Sequence, residues 1–510
     1  MFQTTPKIFL LGITMLLFLN SCTESEEQRQ VRLYTNYCAS CHLTPDLNAL
    51  PKHLWKSKVL PEMGARLGIR DPENHPYRNL PFAEQAAVIK TGIYPERPMI
   101  TPEDWELLQA YILTTAPETM PKDTVVKSSN PLTQFAVTPM VLDSSKGSLI
   151  TYLKLDTLKN SIITGTVRGR LTEFGLENQK STPIARFNGP ISDFTEVNGL
   201  SYTTTMGRLL PSEVASGQIL KKEGEQTASI GGLLHRPVHT LVVDLDGDGT
   251  DEVVVSEFGD LKGKLSLLVS DERGSFKKQL LLDQPGTLRV VPKDMDGDGK
   301  LDLVALTSQG DESITILYQK EDLKFRAEKA IRFSSIYGSS WFELIDYEGD
   351  GDMDIVTVHG DNADETYIQK PYHGMRVHIN NGANVFEEKY FYPMNGVTRV
   401  ISRDFDADGD FDMALLSTFP DYEAYPEYVF VYLENTNAAA FEFQPFTLAN
   451  INRGKWFLMD SGDIDKDGDE DLILSAFTYG FSTAPEELTQ KWEESTVDLL
   501  VLENQLNTDE

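Results

Sequence analysis

Three kinds of residue are scarce in this chain, and each shortage narrows the reading. Cysteine occurs only at positions 22, 38 and 41 of 510, so no disulfide framework braces the chain, and stability has to come from core size or bound metal. Positive charge is short: 46 Lys and Arg stand against 78 Asp and Glu, a net charge of −32. That balance argues against nucleic acid as a partner, because such binding is dominated by cationic contacts to phosphate. Long apolar runs are absent except for Ile8 to Leu19. That run is too short to cross a bilayer, for which a helix needs ~20 residues. No nucleophile triad, phosphate-binding loop or flavin fingerprint is found, and His235, Arg236 and His239 read as core or loop residues. What is present is 40% apolar residues in regular strand-like runs, which argues against disorder. The chain is also too long for one ordinary domain.

The N-terminal apolar run follows Lys7 and ends in Leu19-Asn20-Ser21-Cys22. This resembles the lipobox of bacterial lipoproteins, which implies cleavage of a signal peptide at 1–21 and acylation of Cys22. The acidic stretch from Thr23 to Glu27 is similar to the export tags of Bacteroidota surface lipoproteins, and 22–30 is expected to be a linker. The acyl chains would then be the membrane attachment, on an outer-membrane lipoprotein facing the periplasm or the cell surface.

Cys38-Ala-Ser-Cys41-His42 is the attachment signature of c-type haem. Two thiols one helical turn apart can each form a thioether with a haem vinyl group, and the adjacent imidazole can ligate the iron. A zinc site would need further cysteines or a downstream His pair, and a dithiol oxidoreductase would need a preceding strand. One helix is expected to carry Leu33, Tyr34 and Tyr37 before the motif. Another is expected from Thr101, with Thr101 as N-cap, Pro102 at the first helical position, Asp104 at capping-box distance, and Trp105, Leu108, Tyr111 and Ile112 on one face. Residues 31–118 thus resemble a small all-α class I cytochrome c. That resemblance implies Met99, just before the last helix, as the distal ligand. Met63, in a loop-like stretch, and His53 remain as alternatives, as does an open site.

After a linker at 119–132, five segments share the pattern Asp-x-acid-x-Asp-Gly-x-x-acid. The acids are Asp244, Asp246, Asp248 and Glu252; Asp294, Asp296, Asp298 and Asp302; Asp346, Glu348, Asp350 and Asp354; Asp404, Asp406, Asp408 and Asp412; and Asp463, Asp465, Asp467 and Asp471. Carboxylates at positions 1, 3, 5 and 9, with the carbonyl at position 7, suit a hard cation such as Ca²⁺, and the glycine at position 6 turns the chain. An EF-hand would need Glu at position 12, where Val255, Ala305, Thr357, Leu415 and Leu474 stand instead. The loops resemble those of FG-GAP/VCBS repeats in integrin-like propellers. Five Ca²⁺ would bring the net charge from −32 to about −22.

The loops begin at Asp244, Asp294, Asp346, Asp404 and Asp463, and the interval between successive starts is that of a four-stranded blade. Residues 133–510 are therefore expected to form an all-β propeller of seven blades. The first two would be degenerate, one of them centred on residues 190–194. The interval lengthens in the last three repeats, placing extra residues at 359–375, 418–428 and 478–494, after the strand following each loop. In this repeat type that connection lies on the face opposite the cation loops. Tyr367, Tyr372, Tyr422, Tyr425, Phe481 and Trp492 are expected to be exposed there as a docking face.

The chain as a whole resembles lipoproteins of Bacteroidota and Planctomycetota that join a monohaem cytochrome c to an FG-GAP/VCBS propeller. The expectation is a membrane-anchored electron-transfer protein whose propeller docks a redox protein or envelope ligand. The alternatives are a propeller oxidoreductase acting on a sugar or alcohol and passing electrons to its own haem, and an adhesion or glycan-binding module. With only five tryptophans, the chain lacks the tryptophan-docked blades of quinoprotein dehydrogenases.

Overall fold

The structure, a computed structural model, describes residues 24–71, 75–120, 129–362, 366–480 and 484–506. The expected signal peptide at 1–21, Cys22 and Phe481 lie outside the described residues.

Two kinds of strand alternate from residue 150 onward. Runs such as Glu252–Glu257, Asp302–Thr307 and Asp471–Ala476 are mostly apolar or β-branched and buried throughout. The strands two further along, such as Phe276–Leu282 and Phe325–Arg332, carry lysines and arginines and lie at the outer edge. A strand buried on both faces must be largely apolar, whereas an edge strand tolerates charge. The result is seven blades of four antiparallel strands, six of them four-stranded sheets and one a five-stranded sheet with an added parallel strand. We number them blade 1 (150–186), blade 2 (191–234), blade 3 (237–282), blade 4 (287–332), blade 5 (339–393), blade 6 (397–447) and blade 7 (456–504).

Blade 7 has only three strands of its own. Its fourth is Phe135–Met140, which pairs antiparallel with Leu499–Asn504 and so closes the ring with the N-terminal end of the propeller. Asn130–Pro131 adds a short parallel pairing to Phe446–Thr447 of blade 6, and Leu132 is buried. The expected linker 119–132 therefore ends earlier, and its last residues belong to the sheet. Residues 190–194 run into the first strand of blade 2, whose turn is the short Asn198-Gly199 pair in left-handed backbone, a two-residue hairpin connection in place of an acidic loop.

The N-terminal part is helical. Helix α1 (Glu26–Cys38) begins in a capping box between Ser25 and Gln28, so the acidic stretch expected as linker to residue 30 is already the first turn. Acidic side chains there complement the helix dipole. Helices α2 (Leu60–Arg66), α3 (Phe82–Thr91) and α4 (Pro102–Thr115) follow. Thr101 caps α4 by accepting from the Asp104 amide at 3.1 Å. Helices α1 and α4 meet through Leu33, Tyr34, Leu108 and Ile112, all in one buried cluster, and Arg29 pairs with Asp104. Met63 sits within α2 rather than in a loop.

The helical unit rests on the propeller. Glu84 of α3 accepts from Ser212 Oγ at 2.6 Å and pairs with Arg208, both in blade 2. Tyr372 Oη of blade 5 donates to the Ala49 carbonyl at 3.1 Å, and Ile336 and Ile368 pack against the helical core. Residues 206–216 and 360–373 connect second to third strands, and 333–338 connects blade 4 to blade 5. All three segments lie on the face opposite the acidic loops. Among the described residues no helix is long and apolar enough to cross a membrane.

Candidate functional site: a cysteine–histidine motif and five acidic loops

Helix α1 ends at Cys38, and the following turn carries Cys41 and His42. The thiols of Cys38 and Cys41 are both free. Burial pushes the Cys38 thiol up to about 12, the opposite of the lowered value on which dithiol oxidoreductases depend. His42 Nδ1 lies 2.7 Å from the Leu43 carbonyl oxygen. A carbonyl only accepts, so Nδ1 is the donor of this contact and Nε2 is the ring nitrogen left for another partner. This is how carbonyls behind a metal site orient ligating imidazoles. Ser335 Oγ, on the 333–338 segment, stands 3.5 Å from the same nitrogen. The motif thus faces the propeller at the junction of blades 4 and 5. Ser335 and Glu84 carry no signal in the sequence, because each acts through a neighbour remote in the chain, and Tyr372, expected as an exposed docking aromatic, instead holds the helical unit at Ala49.

Met99 is 61% exposed although apolar. Its amide donates to Leu67 O at 2.8 Å, and its carbonyl accepts from Tyr37 Oη at 3.2 Å. Its backbone is therefore fixed beside the helix that ends in Cys38 while its thioether is uncommitted. Met63 is partly buried in α2 and His53 is exposed. Unbridged thiols, an imidazole with one nitrogen anchored and the other available, and an unburied thioether form a donor set that fits a covalently attached haem.

The five acidic loops each join the first and second strands of blades 3 to 7. In four of them the position-1 aspartate gathers amides of its own loop: Asp244 accepts from Gly247 and Gly249, Asp294 from Gly297 and Gly299, Asp346 from Asp350 and Gly351, and Asp404 from Asp408 and Gly409. Asp463 accepts from Lys466 in the fifth. The position-6 glycines all have φ between +84° and +100°, and a Cβ there would meet nothing within 4 Å. Left-handed backbone, not space, demands glycine at these five turns.

Carboxylate oxygens converge within 4.8 Å in four loops: Asp244, Asp246 and Asp248; Asp294, Asp296 and Asp302; Asp404, Asp406 and Asp408; and Asp463, Asp465 and Asp471. The 346 loop, with Glu348 at position 3, is not among these groups. Asp410 Oδ1 is buried with no hydrogen-bond partner, and burial together with Asp408, Asp406 and Asp404 pushes its carboxyl up to about 6. Gathered hard oxygens facing an uncompensated carboxylate suit a divalent cation.

The position-9 acid does more than the sequence implied. Glu252, Asp302, Asp354, Asp412 and Asp471 are 0–2% exposed, and each accepts from the position-2 amide of its loop, at 2.7–3.1 Å. Burial, the largest cause in each case, pushes Glu252, Asp412 and Asp471 up to about 7.

Residues 244–305 and 294–357 match the model of the FG-GAP-like repeat. The chain carries FG-GAP repeats on a seven-bladed β-propeller. No curated protein matches it. Among solved structures, the Neurospora crassa Pan2 WD40 domain is similar at 11% identity, over 74% of this chain and 97% of that one, with a TM-score of 0.43.

The aromatic residues of the long loops are placed differently from expectation. Trp492 is 2% exposed, donates from Nε1 to Asn452 O at 3.0 Å and lies 5.4 Å from the Tyr422 ring, itself buried. Tyr372 stacks on Tyr337 at 5.3 Å under the helical unit, and Tyr425 is partly buried. Tyr367 reaches 36% exposure. Long loops between strands bury their large rings to hold themselves down, so the buried rings are packing, not a docking platform.

Proposed function

We propose that this chain is a haem-carrying electron-transfer protein in which the propeller holds the helical unit and presents it to a partner. One observation carries the reading. Cys38 and Cys41 are free, and His42, anchored through Nδ1, lies against the propeller at Ser335. Covalent haem supplies a one-electron couple. Cys38 and Cys41 would hold it covalently, His42 would ligate the iron, and Met99, with Met63 as alternative, would supply the second ligand. Tyr37 positions Met99 through its carbonyl, and Ser335 of the 333–338 segment lies against the His42 ring. Exclusion of water and fixed ligands tune such a site.

The acidic loops would take up to five Ca²⁺, bracing the blade ends opposite the helical unit. A lipid on Cys22 would tether the chain to an outer membrane. FG-GAP propellers also fit ligand-docking and adhesion modules. A groove of about 610 Å³ lined by Pro426, Asn450, Arg453 and Lys491, among others, lies between blades 6 and 7. The groove would serve a second reading, in which a redox partner or envelope ligand docks there.

A redox titration of the intact protein tests the proposal. One one-electron couple per chain, with haem reduced by a protein donor and not by sugars alone, supports it. Reduction on adding a sugar to the purified protein would move the function to a propeller oxidoreductase, and absence of any couple would remove it.

A further inference from the structure

Blades 4 to 7 share a hydrogen-bond pattern that connects each acidic loop to the one before it. The third strand of each blade ends at or near a buried amide residue: Gln319, Asn380, Asn435 and Asn504, all at most 5% exposed. Their backbone N–H groups donate to the second carboxylate oxygen of the position-9 acid of the same blade. Gln319 donates to Asp302 at 2.7 Å, Asn380 to Asp354 at 2.8 Å, Asn435 to Asp412 at 2.8 Å and Asn504 to Asp471 at 2.7 Å.

The side-chain amides reach in two directions. Each donates to the position-8 carbonyl of its own loop, at Leu301, Met353, Phe411 and Glu470. Three of the four also touch position 2 of the preceding loop directly. Gln319 Nε2 donates to Leu245 O at 2.7 Å, Asn504 Nδ2 donates to Phe405 O at 2.7 Å, and Asn435 Nδ2 donates to the hydroxyl of Tyr347 at 3.3 Å. In blade 5 the reach is relayed: Asn380 holds Asn384, whose Nδ2 donates to Met295 O at 2.7 Å. The position-2 residue in turn has its amide held by its own position-9 acid. A continuous path therefore runs from the 463 loop through Asp471, Asn504, Phe405 and Asp412 to the 404 loop, and onward to the 346, 294 and 244 loops.

We propose that these four amides couple the five loops into one cooperative cation-binding array. The inference rests on the calcium reading of the loops and deepens it. A cation that fixes the acids of one loop also fixes the strand end carrying the amide, and that amide orders position 2 of the neighbouring loop before its own cation arrives. The ordering cost is then shared between sites, which is a coupling free energy between them. Such buried amides donate to discrete partners in both loops and transmit position rather than absorb it.

The test uses the full-length protein stripped of divalent ions by chelation. Calcium binding to the wild type is followed by calorimetry. Terbium luminescence, sensitised through Tyr432, whose hydroxyl lies 2.6 Å from Asp412, reads the 404 loop, and Tyr432→Phe identifies that share of the signal. Disabling the blade 7 loop by Asp463→Asn with Asp465→Asn should weaken terbium at the 404 loop at least about fivefold, the lower end of ordinary coupling, although no ligand of that loop is altered. Asn504→Leu should do the same with every loop acid present. The wild-type calcium isotherm should be steeper than that of independent sites. An unchanged 404-loop affinity in the double aspartate variant, together with an isotherm of independent sites, overturns the coupling while leaving calcium binding intact. If the wild type takes up neither ion, the calcium reading itself fails. Should Asn504→Leu not fold, the double aspartate variant and the wild-type isotherm decide the question without it.

Discussion

Glu312→Gln separates burial-driven electrostatics from every other source of pH dependence in this chain. Glu312 is 2% exposed between blades 4 and 5, beside the segment that meets His42. It accepts from Ser339 N at 2.9 Å, Ser339 Oγ at 2.5 Å and Gly338 N at 3.2 Å. Beyond Ser339 lies His359, its Nδ1 at 2.9 Å from the same hydroxyl, and burial holds that ring far below its usual value, neutral. Burial pushes Glu312 itself up from 4.5 to about 7, with Asp361 adding to the rise. A raised carboxyl stabilises the fold fully below its unfolded value, and that contribution is lost as pH rises through about 7. The span corresponds to about 3 kcal/mol. Glutamine cannot ionise, so the variant lacks this loss whatever constant offset it carries. Denaturant unfolding of both proteins at pH 5 and pH 8 should show the wild type losing up to about 3 kcal/mol relative to Glu312→Gln across that range. The buried histidines act with the opposite sign on the acid side but are common to both chains and cancel. Parallel pH profiles for the two proteins would refute the reasoning.

Other outcomes follow from the same geometry. Met99→Ala should abolish the weak long-wavelength absorption of oxidised methionine-ligated haem while Met63→Ala leaves it, and the reverse result transfers the ligand role to Met63. Trp492→Ala should destabilise blade 7 by about 3–5 kcal/mol in a denaturant titration, since the ring is buried against Tyr422; a loss near zero would return it to the surface. Chelating calcium should lower the melting temperature, because each site at a hundredfold excess of ion adds about 2.7 kcal/mol to the folded state alone. The drop should be larger at pH 8 than at pH 5, since Glu252, Asp412 and Asp471, pushed up to about 7 by burial, lose their stabilising contribution as pH rises unless a cation offsets it. An equal melt with and without verified calcium removal would contradict this.

The parts of the architecture readable from sequence are those set by short-range chemistry. A glycine at position 6 after an aspartate specifies a left-handed turn whatever surrounds it, and five such turns at blade-length spacing, with room for two blades before them, give the propeller and its seven blades. Thr101-Pro102 likewise announces the start of α4. Residues that answer to distant strands were misjudged or missed. Trp492 and Tyr422 look like exposed recognition aromatics because their loops are long and polar, yet each is covered by the other and by the Asn452 segment. Gln319 and Asn504 look like ordinary strand-end amides, and only the neighbouring blade reveals their second partner. Asn130–Pro131 reads as linker because the strand it pairs with, ending in Phe446 and Thr447, comes near the other end of the chain.

The central claim is that Cys38, Cys41 and His42 hold a covalent haem. The most direct measurement is extraction in acidic acetone, combined with the intact mass, of protein matured by a c-type haem attachment system. Colour retained in the protein, a mass higher by one haem, and loss of both in Cys38→Ala with Cys41→Ala are the predicted results. Colour that passes into the acetone from the wild type, or a mass without the increment, would contradict the account.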